Sequence, residues 1–202
     1  MKLHLGCGER YLKDYVNIDF PQVLHSVQKH SVADRLIDIR NLKYPPKSIE
    51  EIRLHHVFEH FPRVTACVLL TDWNTWLKDN GVLKIEVPDT EIMFKNYDNR
   101  AQRHIFGSQE ASWATHFAGY TSKNLTSFLA MYGFAIKEIK KNNWKGTANI
   151  EIVAVKKGKR ITLKQFEKIT RKYLKSFLID GSCSERRLLK VWMKNYNDQI
   201  KK

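Results

Sequence analysis

The 202-residue chain has no apolar run approaching the ~18 residues of a membrane-spanning helix, and no signal-like apolar stretch precedes its first strand. It has no Cys-x-x-Cys pair. Its three cysteines, Cys7, Cys67 and Cys183, are scattered and odd in number. They offer neither a disulfide framework nor a cysteine-built zinc module, and they point to a reducing compartment, the cytoplasm. Internal repeats and low-complexity segments are missing too. Acidic residues are scarce in one place: from Lys156 to Lys202 there are 15 Lys and Arg against 4 Asp and Glu, which is +11 of the net +14. The first 155 residues, with 20 basic against 17 acidic, are close to neutral. What remains is globular in character, with 43% hydrophobic and 11% aromatic residues. The length suits one domain with a substantial core plus a tail.

Against that background one segment stands out. Leu3-His4-Leu5-Gly6-Cys7-Gly8 is a short apolar strand running into a glycine turn, and Tyr15-Val16-Asn17-Ile18-Asp19 is a second strand ending in an acid. Gly6 and Gly8 carry no Cβ, so backbone N–H groups can approach a ligand closely. Asp19 supplies a carboxylate able to accept from two adjacent ribose hydroxyls. The third glycine of a dinucleotide fingerprint is absent; Tyr11 stands there, and ten residues separate Gly8 from Asp19. That gap does not hold a full crossover helix, which disfavours pyrophosphate at a helix N-terminus. A ligand with ribose but no pyrophosphate fits better.

The order of elements supports an open α/β sheet. Further strands are expected at Arg35–Ile39, Glu51–Phe58, Gly81–Val87, Phe134–Lys140 and Asn149–Lys156, with apolar and polar residues alternating at 51–54 and 84–87. Helices are expected over Pro62–Lys78, stopped by Asn80-Gly81, and over Leu125–Tyr132, capped by Thr121 or Ser122 and ended by Gly133. The Lys141–Ala148 loop is too short for a parallel crossover, so the last strand should run antiparallel. Apolar stripes predict a C-terminal helical hairpin, Ile161–Leu178 and Ser184–Ile200, broken at Asp180-Gly181-Ser182. The reading is therefore a Rossmann-like, seven-stranded, mostly parallel sheet over residues 1–157. A basic helical extension over 158–202 packs on it.

Ligands in such sheets bind at the carboxyl ends of the strands. Those ends carry Leu5, Gly6, Cys7 and Gly8, then Asp19, then Asp38-Ile39, then His55-His56-Val57-Phe58-Glu59-His60, then Pro88-Asp89. Asp38 could accept from an adenine amino group while Ile39 covers the ring, and His55 closes the set on the fourth strand. Asp38 also reads as a local cap, and Cys7 as a packing residue with no basic partner to activate it. His55, His56 and His60 with Glu59 have metal-ligand chemistry, but the spacing is not His-Glu-x-x-His and the positions straddle a strand end. No metal is assigned. Met93, Phe94 and Tyr97 read as a core stripe.

Leu-Gly-Cys-Gly followed by Asn-Ile-Asp resembles the opening of the class I S-adenosylmethionine-dependent methyltransferases, nearest the small subgroup with a shortened first helix. His56-Val57-Phe58-Glu59-His60 is similar to that family's His-x-Leu-Glu-His segment, and Leu77–Val87 to its approach to the fifth strand. The resemblance covers roughly residues 2–156. It implies S-adenosylmethionine as cofactor, S-adenosylhomocysteine as product and a reversed terminal strand. It also implies roles for Gly6 and Gly8 in the glycine motif, Asp19 as the ribose acid and Asp38 as the adenine-side acid.

A hydroxyl acceptor needs its proton removed, which makes His116, Asp89 and His60 the catalytic candidates. His116 ranks first, because the Thr90–Tyr120 segment borders the acceptor side in this fold. The absence of an Asn/Asp-Pro-Pro-Tyr tetrapeptide argues against methylation of a base amine, and that of a Pro-Cys nucleophile against cytosine carbon. Tyr97, Trp113 and Phe117 mixed with Asp98, Arg100, Arg103 and Glu110 suit a sugar ring. Small members of the subgroup resemble enzymes that methylate polysaccharides, including domains of virus-encoded glycan-building enzymes, and the abrupt start would suit a domain of a larger polypeptide. The expected acceptor is a glycan sugar hydroxyl, such as that of a deoxyhexose like rhamnose. An RNA held by the basic tail is the alternative, and a non-catalytic nucleoside-binding module the third reading.

Overall fold

The computed structural model describes residues 1–24, 30–144, 146–158 and 160–201. Seven strands form one sheet in the order β3-β2-β1-β4-β5-β7-β6. They are β1 (Lys2–Leu5), β2 (Val16–Asp19), β3 (Arg35–Leu36), β4 (Ile49–His55), β5 (Leu77–Pro88), β6 (Phe134–Trp144) and β7 (Thr147–Lys156). Pairing is parallel from β3 through β5. β7 slots between β5 and β6 and runs antiparallel to both, the reversal required by the short connection before it. That connection is a hairpin rather than a loop from Lys141: both strands extend to Trp144 and Thr147, and Lys145 at its tip lies outside the described residues.

Other boundaries shift for local reasons. α1 spans Arg63–Trp76 with Pro62 at its N-cap, where a missing N–H costs nothing. It ends before Asn80-Gly81, because Leu77 already pairs with Ile49 of β4. Asn80, at φ +63°, lies in the irregular stretch where the β4–β5 register shifts between Ile49 and Glu51. β3 is cut to two residues since Asp38 turns the chain: its side chain accepts from Arg40 N at 2.8 Å and starts a 3-10 turn, Ile39–Asn41. Two short helices, α2 (Thr90–Lys95) and α3 (Asn99–Phe106), occupy a segment with no clear periodicity. They pack Met93, Ala101 and Ile105 into a small core of their own. Phe94 and Tyr97, assigned to that core from sequence, instead stack on each other at the surface with centroids 6.0 Å apart.

Alternation sorts the sheet into two unlike faces. Leu3, Leu5, Ile52, Leu54, Leu83, Ile85, Ile150 and Ile152 are fully buried. They share one core with α1, α4 (Ser122–Met131), α5 (Leu163–Lys175) and α6 (Cys183–Ile200). Within it Tyr132 Oη meets Thr170 Oγ1 at 2.7 Å and Thr71 Oγ1 meets Tyr196 Oη at 3.0 Å, so the buried hydroxyls are satisfied. The opposite face is polar. Lys84 pairs with Glu51 at 2.8 Å, Arg53 with Glu151 at 3.4 Å and His55 with Glu86 at 3.3 Å. Among the described residues, the connections from β1 to β4 contain only the 3-10 turns Gln22–Leu24 and Ile39–Asn41. No helix there covers this face. Nor is any described helix long and apolar enough to cross a membrane.

Candidate active site

The site begins with the backbone of the first turn. Gly6 and Gly8 sit at φ +66° and +57°, the left-handed region that favours glycine. A Cβ on Gly6 would stand 2.3 Å from Val57 Cγ2, whereas one on Gly8 would meet nothing within 4 Å. The first glycine thus lets the turn after β1 press against the turn after β4. The second faces open space, and that space is a cavity of about 660 Å³, within the usual range for small-molecule sites.

Asp19 ties this turn to the end of β2. Its Oδ2 accepts from Gly8 N at 2.6 Å and its Oδ1 from Phe20 N at 2.7 Å. The Cys7 thiol lies 3.8 Å from the same Oδ2, so the carboxylate is fixed at the edge of the cavity. Gly6, Gly8, Asp19, Phe20, Asp38 and Ile39 form one side of the cavity. Asp38 is engaged twice: it caps the 3-10 turn and is ion-paired with Arg40 at 2.5 Å, so an adenine amino group would share it with a guanidinium. Leu5 is buried in the core behind the turn. Cys7 is nearly inaccessible, and burial, with the Asp19 charge beside it, pushes its thiol up to about 12. It is a packing residue with no thiolate at neutral pH.

His55 does not border the cavity. Strand alternation sends it to the polar face, where Nε2 accepts from Arg53 Nε at 2.8 Å and Nδ1 faces Glu86. Its neighbour His56 takes the place expected for His55, through a left-handed backbone at φ +51°. Asp89 is also off the cavity lining. It is wholly buried, caps α2 through Glu91 N at 3.1 Å, and faces Lys141 Nζ at 3.3 Å.

The opposite side of the cavity includes His56, Val57, His60, Phe61, Trp113 and Phe117. Trp113, Phe117 and the His56–His60 segment stood out in the sequence, whereas Phe20 and Phe61 are betrayed only by adjacency to Asp19 and to that segment. Glu59 joins this turn to a distant loop: its carbonyl accepts from the backbone amides of Phe117 and Ala118 at 2.9 and 3.2 Å. His116 is thereby brought edge-on to His60, ring centroids 4.5 Å apart. His116 Nδ1 lies 2.9 Å from the His104 carbonyl; since a carbonyl only accepts, Nδ1 carries the proton and Nε2 is the basic atom.

Charges in this corner are strongly coupled. Burial holds His116 below the ordinary histidine value, with Glu59 pulling the other way. Burial also disfavours a charge on His56, but Glu59 and Glu86 outweigh it and raise its pKa. The Glu59 side chain is 1% exposed. Burial would raise its pKa, yet His56, His60 and His116 hold it below the usual carboxylate range.

No family model and no curated protein matches the sequence. Solved structures do. A methyltransferase of Methanosarcina mazei described as S-adenosylmethionine-dependent superposes with a TM-score of 0.55 at 13% identity, covering 77% of this chain and 92% of that one. The 1,6-didemethyltoxoflavin N1-methyltransferase of Burkholderia thailandensis, solved with S-adenosylhomocysteine bound, gives 0.52 at 12%, covering 77% and 70%. A protein of Pyrococcus horikoshii gives 0.55 at 16%, covering 77% and 81%. The fold is that of the class I S-adenosylmethionine-dependent methyltransferases. At such identities the likeness concerns the fold, and chemistry must be argued from the site. In this methyltransferase fold the cavity opens at the carboxyl ends of β1, β2 and β4, where open α/β sheets bind ligands.

Proposed function

We propose that the protein is an S-adenosylmethionine-dependent O-methyltransferase whose acceptor is a sugar hydroxyl of a glycan, such as a deoxyhexose. One observation carries the reading: a double-glycine turn knitted to Asp19 opens onto a cavity whose far wall leads to Glu59, His60 and His116. The residues fit the cofactor. Gly8 leaves room for a close backbone approach, Asp19 places a carboxylate on the cavity lining where a ribose would lie, and Ile39 gives an apolar wall for a purine. Residues 1–157 would hold the cofactor, with 158–202 as a helical extension, in a reducing cytoplasm where the three free thiols persist.

When bound, S-adenosylmethionine supplies a methyl carbon made electrophilic by its sulfonium. The chain's task is then alignment and proton removal. Trp113 and Phe117 offer flat apolar faces, and Ser112 and His60 polar groups beside them, a mixture suited to a sugar with C–H on its faces and hydroxyls on its rim. His116 Nε2, neutral at pH 7 and oriented by the His104 carbonyl, is the atom within the cluster best prepared to accept the hydroxyl proton. Asp89 is committed to capping α2 and to Lys141, which leaves it outside the proton transfer.

The test is tritiated methyl transfer to a panel of glycans and RNAs at two salt concentrations. Label in glycans at both salts is the expected result; label confined to RNA and lost at high salt would overturn the acceptor assignment. His116→Ala should abolish turnover while cofactor affinity, measured calorimetrically, stays within about threefold. Activity within about tenfold of the parent would remove His116 from the chemistry.

A further inference from the structure

We infer that Glu59, His60 and His116 form a binding site for a divalent transition-metal ion of the zinc or manganese kind, at the acceptor wall of the cavity. One ligand atom from each of the three lies within 4.8 Å of the other two. The decisive observation is Glu59. Its side chain is 1% exposed, and neither carboxylate oxygen accepts a hydrogen bond. His56 Nδ1 stands 3.5 Å from Oε1, a charge contact at the outer limit of hydrogen-bond distance that leaves both oxygens without a full hydrogen bond. A buried carboxylate without hydrogen bonds is costly and is normally paired or bound to a metal.

Two further details fit. His60 Nδ1 is buried without a hydrogen-bond partner. His116 has its other ring nitrogen on the His104 carbonyl at 2.9 Å, the outer contact that orients metal-binding histidines and fixes their tautomer. Two imidazoles and a carboxylate form the protein ligand set of many catalytic zinc sites and suit first-row transition metals better than magnesium. Ligand atoms around such an ion stand about 3.4 Å apart at bond lengths near 2.1 Å, so modest side-chain rotations complete the site. From the sequence no metal was assigned, because His-x-x-Glu-His lacks the usual internal spacing, although Glu59, His60 and Asp89 left one open. The third ligand comes instead from 56 residues downstream, brought in by the Glu59 carbonyl.

The role of the ion rests on the function proposed above. An open coordination position beside His60 would bind the acceptor hydroxyl and raise its acidity. The hydroxyl oxygen forms its bond to the methyl carbon, the carbon–sulfur bond breaks with its electron pair going to sulfur, and the hydroxyl proton passes to solvent at the cavity mouth. His116 is then a ligand to the ion rather than the proton acceptor, and His116→Ala is again inactive.

The experiment uses the whole 202-residue chain, stripped with chelator and checked by elemental mass spectrometry. Zinc chloride and manganese chloride are titrated calorimetrically into the parent, Glu59→Gln and His116→Gln, and Tm is read with and without metal. The parent should take up one equivalent of one of these ions and gain Tm, and each variant should bind at least about 100-fold more weakly. In chelator, Glu59→Gln should melt somewhat lower than the parent, since the surrounding histidines favour the Glu59 charge, and a cooperative transition shows that the variant is folded. Uptake well below one equivalent by the parent overturns the site, and so does undiminished uptake by both variants. S-adenosylmethionine titrated into the same samples separates the two proposals: cofactor binding without metal leaves the function standing and sinks the site, whereas metal binding without cofactor does the reverse.

Discussion

Gly6→Ala should cost more than any other single methyl group added near the cavity, and adding Val57→Ala should relieve the clash and so recover about a third of the loss. Two separable penalties are involved. The added Cβ would lie 2.3 Å from Val57 Cγ2 and 3.2 and 3.3 Å from Cγ1 and Cβ, so rotating the valine about χ1 does not clear it. Overpacking of this kind costs about 2 kcal/mol, and a side chain at φ +66° adds about 1 kcal/mol. The single variant should lose about 3 kcal/mol, a fall in Tm of roughly 6–12 °C for a domain of this size. Val57→Ala alone should cost about 1 kcal/mol, as a half-buried truncation. The double variant escapes the clash but keeps the backbone strain, so it should sit about 2 kcal/mol below the parent, giving a coupling of about −2 kcal/mol. Urea unfolding with a constant m-value measures all four corners. Additivity within about 0.5 kcal/mol would refute the claim that the first glycine exists to let the two turns meet.

Asp19→Ala should weaken S-adenosylmethionine binding by about 100-fold or more in calorimetry, since two charge-assisted hydrogen bonds are at stake; an unchanged affinity would remove the ribose role. Asp72 is held up at about 6 from an ordinary 3.8, by burial that Lys43 at 3.9 Å only partly offsets. Its folded pKa is raised, so its contribution is fully present below about pH 4 and lost as pH rises through 6. Asp72→Asn should therefore stabilise the protein by about 2–3 kcal/mol at pH 8 and leave it unchanged at pH 4; equal effects at both pH values would contradict this. Removing residues 158–202 strips Phe166, Leu174, Met193 and Tyr196 from the shared core. The remainder should lose cooperative unfolding, seen as a broad calorimetric transition; a sharp one would show that the sheet stands without them.

Much of this was legible in the chain because local chemistry decided it. Gly6, Gly8 and Asp19 sit at neighbouring strand ends, and parallel pairing of β1 with β2 brings them together whatever the rest does. The capping residue Thr121 accepts from Asn124 N, three residues on, and α4 begins there; the caps of α5 and α6, Thr162 and Ser182, lie within two residues of the helix starts expected at Ile161 and Ser184. Even the one-sided sheet was written in the alternation of 51–54 and 84–87. What was not legible depended on long-range geometry. His55 and His56 are adjacent, and only the left-handed turn at His56 determines which of them reaches the cavity. Glu59 reads as an ordinary acid until the Phe117 and Ala118 amides fasten it beneath three imidazoles. Phe94 and Tyr97 look like core by composition, but α2 has six residues and buries only one side.

The two faces of the sheet imply two independent ways for this protein to fail. On one side cohesion is apolar, and urea weakens it. On the other it is a ladder of opposite charges across strands, with Glu86 held down at about 2 against the cost of its burial by His55, Asn142 and His56. Acid weakens that ladder at Glu86: its folded pKa is depressed, so the stability it contributes is present at neutral pH and lost as pH falls toward about 2. Urea and acid should therefore open different halves of the molecule first. The strands that carry the cofactor turn belong to both layers, so binding a ligand there would protect against either insult.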